Sequence, residues 1–167
     1  ALDITNPTTF SASNVMWELN STNDTEIGYT IGAAQIGRHP NGDWVAVFGN
    51  GYESTSGVAK LFIVNLATGA ITKVSTGVGS VGAPNGLATP RLVVGRDATI
   101  MAAYAGDLHG NLWKFKFTGS GATVDYSGTP LFTETIASVP QPITVQPEVT
   151  EHPSGGVMVL FGTGKIF

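Results

Sequence analysis

Apolar and polar residues alternate along this chain in short runs, most clearly in residues 100–117. Trp113, Phe115 and Phe117 fall on one face of that run, and two lysines fall on the other. A period of two predicts a half-buried β-strand, because successive side chains leave opposite faces of the pleat. The stretch Gly106-Asp107-Leu108-His109-Gly110 interrupts the run with turn residues, so the pattern predicts a β-hairpin.

The hairpin pattern recurs along the chain. Strands are predicted at residues 43–49, 59–66, 70–75, 101–106, 111–117, 123–126 and 157–162, with a further strand opening at 165–167 and a short candidate at 14–20. Phe48, Tyr104 and Phe161 end three of these strands and are 56 and 57 residues apart. The turn sequences His39-Pro40-Asn41-Gly42 and His152-Pro153-Ser154-Gly155 are separated by 113 residues, the sum of those intervals. The strand-ending aromatic residues and the His-Pro turns therefore share one period, which predicts a tandem repeat.

A unit of three or four antiparallel strands that recurs in tandem is typical of a β-propeller blade. The sequence therefore predicts an all-β fold, a fragment of a β-propeller with about three antiparallel blades that is partial at both ends. The single domain covers residues 1–167, with blades at 31–76, 87–135 and 143–167. Residues 1–30 are predicted to be the end of a preceding blade and its loop. Because Phe167 ends the chain inside an apolar segment, we expect a fragment without its signal peptide.

The composition argues against nucleic acid and anionic lipid as binding partners. Only 12% of the residues are charged, and the formal net charge is −4, so no basic surface for nucleic acid or anionic lipid is expected. The sequence contains no run of 18 or more apolar residues, so no membrane-spanning helix is predicted. There is no cysteine, which excludes disulfides and thiolate metal sites.

The candidate chemical groups favour structural roles. His39, His109 and His152 each lie beside Gly or Pro in a predicted turn, an arrangement more typical of turns than of a metal site. Asp107 is expected to cap its own hairpin. Glu148 and Glu151 face opposite sides of a strand, so paired-carboxylate catalysis is not expected.

The glycine-rich turns and the tryptophans are also expected to have structural roles. Gly49-Asn50-Gly51 and Gly162-Thr163-Gly164 lead into predicted strands rather than into a helix N-terminus, so they do not predict phosphate binding. Trp17, Trp44 and Trp113 lie on strand candidates and are expected to fill the spaces between blades. We predict no catalytic, cofactor-binding or metal-binding residue in this chain.

Four ordered motifs resemble the PilY family of type IV pilus biogenesis factors and tip-associated adhesins. They are the lead-in Trp17-Glu18-Leu19 with Ile27-Gly28-Tyr29-Thr30, the segment Val47-Phe48-Gly49-Asn50-Gly51-Tyr52-Glu53, residues 103–115, and Met158-Val159-Leu160-Phe161-Gly162-Thr163-Gly164-Lys165. The resemblance implies part of the C-terminal β-propeller of a pilus-associated surface protein, irregular and similar to quinoprotein propellers. It also implies an exported protein at the bacterial cell surface.

One departure from the family concerns calcium. Some members carry a calcium loop rich in Asp and Asn just before the strand that corresponds to residues 101–106. Here that stretch is Val94-Gly95-Arg96-Asp97-Ala98-Thr99-Ile100, with Asp97 as its single carboxylate. Calcium takes roughly six to eight oxygen ligands, usually with several carboxylates. We therefore predict that the calcium loop is not retained and that the chain needs no cofactor.

The function implied by the resemblance is non-enzymatic. The chain would be a rigid β scaffold whose loops at residues 51–57, 77–89 and 119–142 contact other pilus proteins or a host or abiotic surface. One alternative is a quinone-dependent dehydrogenase, whose propellers share the Ala-Gly-Asp-x-x-Gly-Asn-Leu type of hairpin. Another is an assembly scaffold without an adhesive role. Exposed strand edges predict self-association of the isolated fragment.

Overall fold

A computed structural model describes residues 1–165, and the fold in this range is almost entirely β. Three short 3-10 helices occur at Pro7–Thr9, Ala12–Asn14 and Tyr126–Gly128. The strands are β1 (Gln35–Arg38), β2 (Trp44–Gly49), β3 (Val58–Asn65), β4 (Ile71–Gly79), β5 (Arg91–Val94), β6 (Ile100–Gly106), β7 (Asn111–Thr118), β8 (Gly121–Val124), β9 (Phe132–Thr133), β10 (Thr135–Ile136), β11 (Val139–Pro140), β12 (Glu148–Glu151) and β13 (Val157–Leu160).

The strands form antiparallel sheets in chain order. Sheet A has the order β1-β2-β3-β4, and sheet B has the order β5-β6-β7-β8, with β9 also paired to β7. Strands β12 and β13 pair to form sheet C. The first strands of the three sheets begin at Gln35, Arg91 and Glu148, which are 56 and 57 residues apart. The tandem repeat and the all-β fold are therefore confirmed.

The two histidine turns have the same main-chain geometry. His39 donates its N–H to the Asp43 carbonyl at 2.7 Å, and its own carbonyl accepts from the Gly42 N–H at 2.8 Å. His152 forms the corresponding bonds with Gly156 and Gly155 at 3.0 and 2.9 Å. In both turns the imidazole Nδ1 accepts a main-chain N–H two residues further on. These turns join the first two strands of sheets A and C and are structural equivalents.

Sheets A and B pack face to face around one core. The core residues of sheet A include Val47, Leu61 and Ile63, and those of sheet B include Trp113 and Phe115. They lie at alternate positions of β2, β3 and β7, as the period of two predicts. Burial of each such side chain contributes roughly 1.5–3 kcal/mol relative to its exposed state. This shared core fixes sheet A against sheet B.

The predicted strands at 43–49, 59–66, 101–106 and 111–117 are confirmed as β2, β3, β6 and β7, with ends that differ by one residue at most. The prediction at 14–20 is wrong. Only Val15 forms a bridge there, to Leu2, because no strand among residues 1–165 lies alongside this segment to provide a ladder. The strand expected to open at 165–167 falls, apart from Lys165, outside the described residues.

The tryptophans differ in burial. Trp113 is fully buried in the core between sheets A and B, as predicted. Trp44 is 51% exposed in the described part of the chain, and its place between two blades stays a prediction. Trp17 packs over Gly69 and donates its indole N–H to the Leu66 carbonyl at 2.9 Å. Its ring therefore covers a turn of sheet A.

The aromatic landmarks of the repeat are one position out of register. The first residues of β1, β5 and β12 pair with Val47, Tyr104 and Leu160, respectively. Phe48 and Phe161 each follow the paired residue, whereas Tyr104 is the paired residue itself. Because a shift of one residue changes the face of a strand, Phe48 and Tyr104 face different neighbours. The period is correct, but the equivalence of these three aromatic residues is wrong.

Candidate functional site

Several loops meet at one end of sheets A and B, which we call the loop end. It contains the β2–β3 turn (residues 50–57), the link between the sheets (80–90), the β6–β7 turn (107–110) and residues 131–145. Gly51 donates its N–H to the Leu87 carbonyl at 3.1 Å, and Glu134 donates its N–H to the Gly110 carbonyl at 2.8 Å. Ile143 donates its N–H to the Asp107 carbonyl at 2.9 Å. These bonds fix the loops to one another.

Glycine allows this close approach of main chains. Gly51 has φ +68°, and a Cβ placed on it would lie 2.1 Å from the Tyr29 carbonyl oxygen. A Cβ on Gly106 would lie 2.2 Å from Cγ2 of Ile143. Such distances are far inside van der Waals contact, so a side chain at either position requires the main chain to move. The loop end is tightly packed at its base.

Asn50 ties the β2–β3 turn to the link. Its side chain is fully buried. Its Oδ1 accepts the main-chain N–H groups of Lys60 at 2.9 Å and Leu87 at 3.1 Å. Its Nδ2 donates to the Val58 carbonyl at 2.9 Å. The link therefore cannot leave the turn without leaving buried polar groups unpaired.

Asp107 connects the β6–β7 turn of sheet B to the link, and its side chain is also fully buried. Its Oδ1 accepts the Asn111 main-chain N–H at 2.9 Å, so it caps its own hairpin as predicted. Its Oδ2 accepts from Nδ2 of Asn85 and Nδ2 of Asn111, both at 2.9 Å, and from the Trp113 indole at 2.8 Å. None of the ion pairs among residues 1–165 includes Asp107. Its negative charge is stabilised by N–H donors alone.

Glu26 is held at the loop end by sheet A. Its carboxylate accepts from the Ser56 hydroxyl at 2.6 Å and forms an ion pair with the Lys60 ammonium. Partial burial raises the pKa of Glu26, but the hydrogen bonds from Lys60 and Ser56 outweigh burial and leave that pKa below its usual value. The segment that precedes sheet A is therefore attached to it through a charged contact.

An apolar pocket of about 370 Å³ opens at the loop end. Its lining includes Tyr29, Ile31, Phe48, Leu87 and Val145, which come from the segments that precede the three sheets and from β2. Tyr52 also lines it, and burial raises the pKa of its phenol. The pocket suits an apolar group, and its walls offer a few hydroxyls from threonine and tyrosine.

The three loops predicted as contact regions differ in exposure. In loop 51–57 most residues are buried, so this loop is largely part of the core of the loop end. In loop 77–89 residues 80–84 are exposed and residues 85–88 are buried. The prediction of a connection over 119–142 is wrong in part, because that range contains β8, β9, β10 and β11. Much of it is nevertheless exposed.

Strands β10 and β11 form a small hairpin that projects from the loop end. Thr135 pairs with Pro140 and Ile136 pairs with Val139. Ala137 and Ser138 at the tip have φ of +49° and +66°, the left-handed values that a two-residue hairpin turn requires. Gln141 donates its N–H to the Glu134 carbonyl at 3.1 Å and closes the base. Ile136 and Val139 are both exposed.

The histidines and carboxylates singled out in the sequence are dispersed. Among residues 1–165, no three His, Asp or Glu side chains are close enough to hold a metal ion together. Asp97 accepts from the main-chain N–H and the hydroxyl of Thr99 within its own turn, at 3.2 and 2.7 Å. Glu148 forms an ion pair with Arg91 at 3.1 Å. No helix in the described range is long and apolar enough to cross a bilayer.

Sequence reasoning missed Asn50, Asn85 and Asn111 as members of the buried hydrogen-bond network. The one available signal was their position beside glycines or in the Asp107 turn. Their partners come from residues up to 37 positions away, as for Asn50 and Leu87. A local pattern contains no information on such pairs.

Comparisons with known proteins agree with this geometry. The family model of the PilY1 β-propeller domain matches residues 1–167. The chain belongs to the PilY1 β-propeller family. A type IV pilus biogenesis factor PilY1 homologue of Xylella fastidiosa is 43% identical over 189 aligned residues, which cover all of this chain and 13% of the relative. The type IV pilus biogenesis factor PilY1 of Pseudomonas aeruginosa is 36% identical, with all of this chain and 16% of the relative covered.

A solved structure supports the fold of this PilY1-family chain. The crystal structure of the Pseudomonas aeruginosa PilY1 C-terminal domain matches with a TM-score of 0.87 and 35% identity. The match covers 98% of this chain and 38% of that one. The β-propeller architecture and the family resemblance are therefore confirmed. The chain spans only a small part of the curated relatives that it matches.

Proposed function

We propose that this chain is a non-enzymatic part of a type IV pilus-associated protein, in which it is a rigid β scaffold that presents its loop end to other pilus components. The printed names of the relatives, type IV pilus biogenesis factors, support the association with pili. Export to the bacterial cell surface is part of the same proposal. The buried network around Asn50 and Asp107 supports a scaffold role, because it holds the loops in fixed positions.

The β10–β11 hairpin is the observation that carries the proposal. Its side chains Ile136 and Val139 are 61% and 59% exposed, and Phe132 at its base is also exposed. Exposed apolar groups on a loop that is positioned by a rigid scaffold are typical of protein contact sites. The base of the hairpin is fixed to Gly110 of sheet B through the Glu134 N–H. The hairpin therefore presents an apolar tip at a defined place.

The test is a double substitution at the hairpin, Ile136→Asp with Val139→Asp, in the natural protein in its own cells. We expect normal protein levels with fewer pili by electron microscopy, because charged side chains do not enter an apolar contact. The matched control is Leu2→Asp with Ile4→Asp, two apolar residues that are 57% and 68% exposed and lie outside the loop end. Pili and surface attachment that match the unsubstituted protein in the hairpin variant would contradict the proposal. Loss of attachment with normal pilus number would favour an adhesive role over assembly.

A further inference from the structure

A second pocket, of about 260 Å³, lies where sheets A and B meet at the end opposite the loop end. Residues in and beside the β1–β2 turn (39–43) and the β3–β4 turn (66–70) line it from sheet A, and residues of the β7–β8 turn (119–120) line it from sheet B. These turns lie at this end because each antiparallel neighbour reverses the direction of the chain. We call it the His39 pocket, after the most buried polar side chain in its lining.

The imidazole of His39 has one free nitrogen, and that nitrogen opens into this pocket. His39 is only 7% exposed, and its ring packs against Phe117 in a T-shaped arrangement. Its Nδ1 accepts the Asn41 main-chain N–H at 3.3 Å, so the neutral ring carries its proton on Nε2. Nε2 has no hydrogen-bond partner among residues 1–165, although every fully buried side-chain N or O atom in that range has one. Nε2 therefore reaches the accessible surface, and it does so as an N–H donor in the pocket that His39 lines.

Asp43 and Asn65 add an acceptor and a donor to the same lining. Asp43 Oδ2 accepts from Asn41 Nδ2 at 3.0 Å, and Asp43 Oδ1 has no partner in the described part of the chain. Asn65 Oδ1 accepts two main-chain N–H groups of its own turn, at 2.9 and 3.1 Å, and Asn65 Nδ2 has no partner within residues 1–165. Two N–H donors and one carboxylate acceptor are therefore available around one cavity.

Apolar side chains complete the His39 pocket. Val45 and Ile63 are buried core residues of sheet A that also line it, and Ala122 of sheet B packs against the same core. The pocket therefore has an apolar floor below its polar groups. A few polar groups at fixed positions above apolar side chains are typical of sites for small molecules.

The charge of the lining selects against ions. Asp43 is its one carboxylate, and among the described residues no lysine or arginine lines the pocket. An anion would be repelled by Asp43, and a cation would meet the N–H donors of His39 and Asn65. A hydroxyl group suits all three side chains, because it donates to a carboxylate and accepts from an N–H. A sugar has several such hydroxyls and an apolar C–H face, so it matches both the polar groups and the floor.

We propose that the His39 pocket binds a neutral sugar unit whose hydroxyls accept from His39 Nε2 and Asn65 Nδ2 and donate to Asp43 Oδ1. The volume is slightly below the range of about 300–1,000 Å³ that is usual for drug-sized ligands, so the expected occupant is one monosaccharide unit. This site is independent of the contact proposed at the loop end, because it lies at the other end of the sheets.

Sheet C shows that the turn itself does not require a buried imidazole. His152 accepts the Ser154 main-chain N–H through Nδ1 at 3.1 Å, the same bond that His39 forms, but His152 is exposed. The residue that corresponds to Asp43 in that turn is Gly156. The turn bond therefore accounts for a histidine at both positions, whereas the pocket and the neighbouring carboxylate are features of the His39 turn.

The first test is saturation-transfer NMR on the natural protein at full length. The probes are six neutral monosaccharides (glucose, galactose, mannose, fucose, N-acetylglucosamine and N-acetylgalactosamine), with inorganic phosphate as an anionic competitor. We expect at least one sugar to bind with a millimolar dissociation constant and phosphate not to displace it. Absence of a signal from all six sugars would overturn the proposal, and so would displacement of the bound sugar by phosphate.

The second test assigns the binding to this pocket. His39→Asn keeps an acceptor oxygen for the Asn41 N–H but removes the Nε2 donor, and His152→Asn is the matched control in the exposed turn. We expect the affinity for the sugar that binds to fall about 5-fold in His39→Asn and to stay within about 2-fold in His152→Asn. Equal losses in the two variants would contradict the assignment.

A third variant keeps the test decisive if His39→Asn is poorly folded. Asp43→Asn keeps the shape of an exposed side chain and removes only its charge. We expect the affinity to fall about 10-fold, because a bond to a charged acceptor is replaced by one to a neutral group. An affinity equal to that of the unsubstituted protein would overturn the proposal.

Discussion

Replacement of the buried carboxylate Asp107 by asparagine is the most direct test of the loop-end network. Asparagine keeps the shape of the side chain but replaces one acceptor oxygen by an NH₂ donor. All the groups that contact the Asp107 carboxylate are N–H donors, from Asn85, Asn111 and Trp113. Either orientation of the new amide therefore brings donors against donors.

The size of the effect follows from the number of bonds. The better orientation directs the NH₂ group at the Asn111 main-chain N–H, which loses its side-chain acceptor, and keeps the bonds at the former Oδ2. An unsatisfied buried donor costs about 1–3 kcal/mol, and each remaining bond loses its charge assistance. Removal of a buried charge without a counter-ion offsets part of this loss. We expect Asp107→Asn to lower the free energy of unfolding by about 2–4 kcal/mol.

Urea unfolding followed by tryptophan fluorescence measures this loss, since Trp113 is buried beside Asp107. The matched control is Asp43→Asn, in which the same change is made at an exposed carboxylate and should stay within about 0.5 kcal/mol of the unsubstituted protein. If Asp107→Asn is as stable as the control, or more stable, the N–H donors around Asp107 do not stabilise its negative charge.

Two further substitutions test other parts of the loop end. The pKa of Glu26 in the folded protein lies below its usual value of 4.5, so its carboxylate stabilises the fold above that pH and the contribution is lost as the pH falls through the lowered pKa. Glu26→Gln should therefore be less stable at pH 7, with a gap to the unsubstituted protein that narrows below about pH 4.5 in thermal melts; a gap independent of pH would contradict this. Gly106→Ala should cost about 1–3 kcal/mol, because the new Cβ would lie 2.4 Å from the Ile143 carbonyl oxygen. Gly82→Ala, with nothing within 4 Å, is the control in denaturant unfolding, and an equal effect at both sites would refute the packing argument.

The strands that are rich in apolar residues could be predicted from the sequence, and the short strands with few apolar residues could not. Strand β7 carries large apolar residues at alternate positions, and β3 carries the continuous apolar run Leu61-Phe62-Ile63-Val64. The predicted ends of both strands lie within one residue of the observed ends. Strand β1 reads Gln-Ile-Gly-Arg and β12 reads Glu-Val-Thr-Glu, with one apolar side chain each. These short strands form because neighbouring strands offer hydrogen bonds, and that contribution is not visible in a local pattern.

The candidate site was less predictable than the fold. The Asp107 turn could be recognised because its cap is local, from Asp107 to Asn111. The bond between Asn85 and Asp107 joins residues 22 positions apart, and no spacing rule predicts it. The repeat also misled the assignment of equivalent residues, because Phe48 lies one position further along its strand than Tyr104 does. A repeat can have the correct period while the inference about which side chains share a face fails.

The link at Leu87 has a mechanical consequence. Sheets A and B share a core, but within residues 1–165 no strand ladder joins them, and their main chains meet through isolated bonds such as those of Leu87 and Arg38. A tensile load along the chain would therefore be carried by one sheet at a time. Extension of sheet A, from Gln35 to Gly79, would release about 150 Å of chain at about 3.4 Å per residue. Under force, such a chain lengthens in separate steps. One sheet unfolds while the neighbouring sheet stays intact, and the second sheet unfolds only when the force reaches it through the link.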